Sequence, residues 1–355
     1  MEKKTPLISQ ALYDKKEPIH CENLIGATII PLGVAGPLQV KSAKLKVQSY
    51  KIPLATTEGA LVASVNRGCK AIRLSGGAVS KVELIGATRG PVFETTGIKE
   101  SFRFKNWLAD NFQHLKKVAA GTSSFLKLLK YDVKLTGHLV YVRFYFDTGE
   151  AMGMNMVTLA TEALNSYIEK KTGVKALALT GNFCVDKKPS WLNFISGRGK
   201  EVWAEVVLKK EVIKKVLKTS PQKLFDVWLS KCLVGSAISG SMGFNSHFAN
   251  VIAAFFAATG QDLAHVAESS LGLTNMKLLT NNDLYVSVYL PDVMLGFIGG
   301  GMKLKIKKEA LALTGAQSAQ ELAMVLGGAV LAGEISLLAS LAEGSLAKAH
   351  VRLGR

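Results

Sequence analysis

Cysteine is scarce in this chain. Cys21, Cys69, Cys184 and Cys232 are spread over 355 residues, and no two form a CxxC pair. That usage points away from a disulfide framework and toward reduced thiols in the cytoplasm. The common chemical signatures are missing as well. There is no Walker A lysine, no HExxH and no GxSxG elbow. The nearest approach to GxGxxG, Gly197-Arg198-Gly199, lacks its third glycine. Generic motifs therefore name neither a cofactor nor a nucleophile, and no metal is expected. The opening "MEKKTPLISQALYDKKEP" has no apolar stretch to act as a signal peptide. Acidic residues are in deficit, 27 against 44 basic ones, for a net charge of +17. The excess implies an anionic partner, for which nucleic acid, a membrane surface and phosphorylated cofactors all qualify. The lysines are scattered, however, and no long basic run is interleaved with aromatics. This is the pattern of a solvated surface, so no nucleic-acid partner is expected.

What is present is an ordinary globular composition, 48% hydrophobic and 20% charged. The length allows two domains at roughly 150 residues each. Helical spacing of Leu61, Val62, Val65 and Ile72 predicts a helix after Glu58. "LTGHLVYVRFYFD" (135–147) alternates like one strand, and a helix follows from Glu150 to Gly173. A short apolar strand precedes residue 180, "EVWAEVVL" reads as a strand, and Ser220-Pro221 opens a helix. "FANVIAAFFAATG" reads as a buried helix, and helix returns after "IGGGMKLK". Interleaved elements of this kind predict an α/β or α+β protein. Residues 91–179 look like a module inserted into a larger α/β domain. One run, 322–342, imitates a membrane span, but Glu334 in its middle and its many small residues favour a buried helix broken near Gly327-Gly328. No membrane partner is expected.

"GNFCVDKKPSW" (181–191) stands out, because an acid, two lysines and a proline fill a reversal that needs only a few small residues. Spacing alone leaves it a solvated turn. Longer strings decide the matter: "ENLIGATIIPLGVAGPL" (22–38), "ATTEGALVASVNRGCKAI" (55–72), "DTGEAMGMNMVT" (147–158), "GNFCVDKKPSWLNFISGRGK" (181–200), "GQDLAHVAESS" (260–270) and "LAKAHV" (346–351). In this order the chain resembles the 3-hydroxy-3-methylglutaryl-CoA (HMG-CoA) reductase family, of the class I type, over nearly its whole length from about residue 20.

The resemblance implies a four-electron reduction of HMG-CoA to mevalonate with release of CoA, using two NADPH. It also implies a large substrate domain (1–90 and 191–341), an inserted ferredoxin-like NADP-binding domain (91–179), a connecting catalytic loop (180–190) and a tail (342–355). The active site forms between subunits of a dimer-based homo-oligomer. By the same resemblance Lys187 is the cation that stabilises the oxyanion formed by hydride addition. Glu58 is the proton donor to the aldehyde oxygen, which calls for burial. Asp262 joins Lys187 and Glu58 in one hydrogen-bonded set. His350 protonates the departing CoA thiolate. Read without the resemblance, these four are a turn lysine, an acid near a helix start, a capping aspartate and a solvated tail histidine.

Implied substrate contacts are Arg89, Asp186, Lys188, Lys231, His247 and Asn250, with Ser64, Asn66 and Arg67; the cations suit the HMG carboxylate and the CoA phosphates. Implied cofactor contacts are Glu150, Met152, Gly153, Met154 and Asn155, with Ser123, Phe125 and the Ile298-Gly299-Gly300 backbone. Core packing is the plain alternative for the methionines. Two departures from the family pattern bear on the cofactor: Glu150 stands where aspartate is usual, and Ser124 where an arginine holds the 2′-phosphate. NADH thus stays open beside NADPH, with Lys127 or Arg355 as substitute cations. The chain stops before the serine phosphorylated in animal enzymes and has no membrane anchor, so a free cytoplasmic enzyme is expected. Two other readings remain: a basic protein binding nucleic acid or anionic lipid, and an inactive or divergent acyl-CoA-binding relative.

Overall fold

Strands such as VQSYKIPLA and RGKEVWAEVVL alternate side chains between two faces, and the face that buries its apolar residues needs a layer of helix to cover it. The structure is a computed structural model and describes residues 22–23, 27–41, 47–345 and 351. The first stretch comprises β1 (Leu32–Lys41), β2 (Val47–Ala55), α1 (Leu61–Leu74) and β3 (Ala78–Arg89). The second comprises β4 (Val92–Glu94), α2 (Ile98–Asp110), α3 (Phe112–Ala120), β5 (Lys127–Thr136), β6 (Leu139–Asp147), α4 (Met154–Thr172) and β7 (Lys175–Ala178). The third runs through α5 (Trp191–Ser196), β8 (Arg198–Leu208), α6 (Lys210–Val212), α7 (Pro221–Trp228), α8 (Ser236–Ser239), α9 (Phe248–Thr259), α10 (Val266–Ser269), β9 (Leu273–Leu278) and β10 (Leu284–Val293). It closes with α11 (Lys305–Thr314) and α12 (Ala319–Glu343). The mixture of helix and sheet is α+β, as expected.

β3 belongs to two sheets. Its residues 79–86 pair antiparallel with β8, in a sheet ordered β2-β1-β3-β8-β10-β9. Its last three, Ala87–Arg89, pair instead with β6. There begins a second, all-antiparallel sheet, β7-β4-β6-β5, whose elements follow one another as β-α-α-β-β-α-β. Each sheet has its own apolar core. One gathers around α9 and α12, the other around Phe93, Phe104, Phe144, Phe146 and Leu164.

Two expectations need correction. Residues 135–147 are not one strand: Gly137, at φ 67°, turns the chain, so that Thr136 pairs with Leu139 across a two-residue hairpin loop. Nor is the apolar run broken at Gly327-Gly328; α12 is continuous over 25 residues. Its two glycines are places of close approach. A Cβ on Gly327 would meet Val202 at 2.6 Å, and one on Gly328 would meet Leu38 at 2.7 Å. Gly68 of α1 does the same from the other side, where a Cβ would lie 1.9 Å from the Ala332 carbonyl oxygen. Length and composition would let α12 cross a membrane, yet 89% of its most apolar window is buried inside the protein. It is a core helix.

Candidate active site

The lysine loop leaves β7 and is bolted to the junction of the two sheets. The Gly181 N–H donates to the Gly90 carbonyl at 2.6 Å. Thr88 Oγ1 donates to the Cys184 carbonyl at 2.9 Å, and Asn193 Nδ2 to the Val185 carbonyl at 3.1 Å. Gly90 has no room for a side chain, since a Cβ there would sit 2.6 Å from the Cys184 nitrogen. Between these anchors three non-glycine residues have left-handed backbone: Asn182 at φ 65°, Val185 at 49° and Lys187 at 58°. For a β-branched residue such as Val185 this costs on the order of 1–3 kcal/mol, and it persists only where the surroundings over-determine it. Here the anchoring hydrogen bonds supply that constraint.

The strain aims the charged side chains. Asp186 Oδ1 accepts from Arg198 Nη2 at 2.8 Å, and its Oδ2 lies 3.5 Å from Arg89 Nη1. Lys187 Nζ pairs with Asp262 Oδ2 at 3.0 Å. Lys188 turns outward and donates to the Asp186 backbone carbonyl at 3.3 Å. Asp262 also caps the 3-10 turn Leu263–His265 by accepting from the Ala264 N–H at 3.0 Å. It is therefore both the capping aspartate and the partner of Lys187. Partial burial pushes its carboxyl up, but the hydrogen bonds from Lys187 and Ala264 and the charges of His265 and Lys187 outweigh that and hold it below the usual range.

The expected burial is not met within the single chain. The Lys187 side chain is 43% exposed, so the ammonium is not desolvated within the single chain. Glu58 is exposed, and it stands in the turn before α1 rather than in the first helical turn. Its Oε1 accepts from Asn250 Nδ2 at 3.3 Å, and its N–H donates to Thr56 Oγ1 at 2.9 Å. The expected single set joining Lys187, Asp262 and Glu58 is thus split into a Lys187–Asp262 pair and a Glu58–Asn250 pair.

Two cavities flank these pairs. One of about 740 Å³ is lined by Pro189, Lys231, His247 and the Ser239–Asn245 turn. The other, of about 530 Å³, is lined by Glu58, Asn250, Thr56 and Leu263. The N-terminus of α9 and residues 263–271 form walls of both, with Ala249 and Ala267 on one side and Asn250 and Val266 on the other. Lys231 lies in a π-helical stretch, Leu229–Gly235, a winding that recurs at functional sites. Ser64, Asn66 and Arg67 line neither cavity. Ser64 and Arg67 bond to Ser336 of α12 at 2.9 and 3.0 Å, and Asn66 accepts from the Gly36 N–H. His350 lies outside the described residues.

The cofactor set converges at the start of α4. Gly153, at φ 87°, leads into the helix and has Thr148 directly behind it. Met152 therefore precedes the helix, and Met154 is its first residue. The Glu150 carbonyl accepts from the Phe297 N–H at 2.7 Å, and Ala151 bridges to Ile298. Gly299 and Gly300, at φ 88° and 51°, have open space where side chains would be. Phe125 is 75% exposed beside Ser123, whose Oγ accepts from the Phe125 N–H. The α4 N-terminus carries exposed Asn155 and no acid in its first turn, which leaves its N–H groups available to an anion. Glu150 is engaged elsewhere: its Oε2 accepts from the Ala319 N–H at the start of α12.

The sequence profile of hydroxymethylglutaryl-coenzyme A reductase matches residues 2–355. The chain is 50% identical over 345 residues to the 3-hydroxy-3-methylglutaryl-coenzyme A reductase of Methanocaldococcus jannaschii, covering 95% of this chain and 85% of that one. It is 48% identical over 361 residues to the Aeropyrum pernix enzyme of the same name, covering 99% and 84%. This chain belongs to the HMG-CoA reductase family. Among solved structures, the class II 3-hydroxy-3-methylglutaryl-CoA reductase from Streptococcus pneumoniae bound to NADPH superposes with a TM-score of 0.74. At 21% identity, over 90% of this chain and 87% of that one, it establishes the shared fold.

In this HMG-CoA reductase family member the loop rests on residues that lie inside the quoted strings but were not among the expected site residues. Arg198 is fully buried. Its Nε donates to Thr88 Oγ1 at 2.8 Å, Nη1 to Glu268 Oε1 at 2.5 Å and Nη2 to Asp186 Oδ1. Glu268 and His265 are buried as well, with Nδ1 of the ring 2.5 Å from Glu268 Oε1. Ligand atoms of Asp186, His265 and Glu268 lie within 4.8 Å of one another, a spacing that a metal ion could bridge. The positive charge there is the Arg198 guanidinium. Glu334, the acid inside the apolar helix, accepts from the Ser246 and His247 N–H groups at 2.8 and 2.7 Å and from Thr274 Oγ1 at 2.6 Å, which fixes one wall of the larger cavity. One pattern could have found part of this network: Asp262, His265 and Glu268 recur every third residue in an otherwise apolar string.

Proposed function

We propose that this protein reduces HMG-CoA to mevalonate and CoA with NADPH as the hydride source, as a class I member of its family. The observation that carries the reading is the Lys187–Asp262 pair, presented by a strained and anchored loop beside two cavities, one lined by Pro189, Lys231 and His247 and the other by Glu58, Asn250 and Leu263. The sheet β7-β4-β6-β5 with its helices is read as the small ferredoxin-like cofactor domain, residues 91–179. The flanking segments 1–90 and 191–341 then form the substrate domain, and 180–190 the loop between them.

The α4 N-terminus, the open backbone of Gly299 and Gly300 and the exposed Phe125 ring suit a dinucleotide and would hold NADPH with Ser123, Met152, Gly153, Met154, Asn155 and Ile298. NADPH bound there supplies a hydride to each of the two reductions. Lys187 meets the negative oxygen that forms on the thioester carbonyl, a donor role whose loss costs about 10²–10³ in rate. Collapse of the hemithioacetal expels CoA thiolate, which His350 protonates. The second reduction repeats the oxygen chemistry on the aldehyde, with Glu58 as proton donor. In the larger cavity Lys231 and His247 take substrate oxygens; Asn250 acts from the smaller one, and Arg89, Asp186 and Lys188, which line neither, act from β3 and the lysine loop. Ser64, Asn66 and Arg67 act from the α1–α12 seam. The exposure of Glu58, together with exposed Ile29 and Ile30 near its cavity, supports a dimer-based assembly that covers this face, in a soluble cytoplasmic enzyme.

The test is to mix purified protein with HMG-CoA and NADPH, following cofactor absorbance and free thiol together, with NADH in parallel. Two cofactors oxidised per CoA released is the expected result. Thiol release without cofactor oxidation, or no reaction with either cofactor, would overturn the reading.

A further inference from the structure

The charged groups around the lysine loop close into a ring. From Arg198 the path runs to Asp186, along the chain to Lys187, across 3.0 Å to Asp262, then to His265 and Glu268, and back to Arg198. Both anions that touch or adjoin Lys187 thus trace back to one buried guanidinium. The weakest link is between His265 Nε2 and Asp262 Oδ2, at 3.6 Å, and among the described residues Nε2 is buried without a hydrogen-bond partner. An orphaned donor aimed at a carboxylate calls for a purpose.

We propose that His265 is a positioning residue for the reduction: it shares the Asp262 carboxylate with Lys187 and so leaves the ammonium free to direct its N–H bonds at the substrate oxygen. The inference rests on the assignment of Lys187 above. A carboxylate paired with Lys187 alone neutralises the charge that the developing oxyanion needs. A carboxylate that also accepts from an imidazole N–H holds the ammonium in place with less of its own density. The ring faces acceptors on both sides, because Glu268 lies 2.5 Å from Nδ1 and Asp186 Oδ1 4.0 Å from the same nitrogen, with Asp262 beyond Nε2. Carboxylates only accept, so each ring nitrogen faces an acceptor. Arg198 balances Glu268 and Asp186 from the far side, and the ring is fully enclosed. Closing the 3.6 Å gap needs a shift of a few tenths of an ångström by Asp262, whose side chain is 36% exposed and on a turn.

A double-mutant cycle on the full-length enzyme tests this, using His265→Gln, Asp262→Asn and the pair, assayed with HMG-CoA and with mevaldehyde. H265Q is expected to lower kcat about ten- to hundredfold, the range for a residue that orients a catalytic group. KM for HMG-CoA and NADPH should stay near the parent's, while the melting temperature falls because buried Glu268 loses a partner. In the Asp262→Asn background the same change should cost nothing more, since its target is gone. Parental kcat in H265Q or in D262N, losses that multiply in the double variant, or a lower kcat accompanied by a raised KM would each overturn the proposal. Should H265Q fail to fold, Glu268→Gln interrogates the same link and is expected to be silent in the D262N background. Lys187→Ala, run alongside, separates the two levels: an active K187A overturns the assignment of Lys187 itself, whereas an inactive K187A with a multiplicative cycle overturns only the role of His265.

Discussion

Lys187 and Glu58 are assigned to the same oxygen of the same substrate, yet the chain treats them differently. Lys187 stands on a loop anchored by three hydrogen bonds to the sheet junction and paired to a carboxylate with a buried network beneath it. Glu58 is exposed and has one 3.3 Å bond to Asn250 as its side-chain contact. The first half of the site is assembled by intrachain packing. The second lies open at the surface, where the proposed dimer would cover it. A cation that must be in place when hydride arrives benefits from being fixed beforehand, because no reorganisation is then required during the reaction. A proton donor gains from the low dielectric that closure brings.

The sharpest way to break this comparison is Lys187→Ala. It should lower kcat by about 10²–10³ or more on both HMG-CoA and mevaldehyde, while the melting temperature changes little, since a half-exposed ion pair contributes little stability. Equal loss of stability and rate would mean that the lysine is structural. Glu58→Gln should come next: reduction of mevaldehyde falls strongly, and the parent enzyme itself loses specific activity on dilution as the covering face departs. Activity per chain that stays constant down to the lowest measurable concentration would show that Glu58 needs no second copy.

The smallest effect concerns the floor of the assembled half. Asp292 is fully enclosed and accepts from Asn193 Nδ2 at 2.5 Å, while its Oδ1 has no hydrogen-bond partner among the described residues. Burial, with the repulsion of Glu268 added and the attraction of Arg198 opposing, pushes its carboxyl up to about 8. A carboxyl raised in the folded state keeps a proton that the unfolded chain gives up. The stability it contributes is therefore present at acid pH and is lost as pH climbs from the ordinary aspartate range toward about 8. Asp292→Asn has no such dependence, so the melting temperature of the variant minus that of the parent should increase from pH 5 to pH 8. A flat difference would mean that Asp292 is ionised throughout.

How much of this was legible follows from the range of the forces involved. α9 and α12 were readable as buried helices because long apolar runs have nowhere else to go. The lysine loop was readable because its string is long and specific. The continuity of α12 was not, since Gly327 and Gly328 look like breakers until Val202 and Leu38 are seen against them. The hairpin at Gly137 was hidden by an alternation that runs through it unchanged. Arg198 was the largest omission. It sat inside a failed glycine motif, and nothing local shows that an arginine will be fully buried among three carboxylates.

The amino-acid order alone determined which kind of chemistry the molecule is built for and which side chains were candidates, because residue types and their near neighbours are local properties. Only the tertiary structure decided which candidates meet. Asp186, Lys187, Arg198, Asp262, His265 and Glu268 come together through a strand register and a loop strain set by packing over the whole chain. A 3.0 Å ion pair between residues 75 positions apart cannot be read from either end of it.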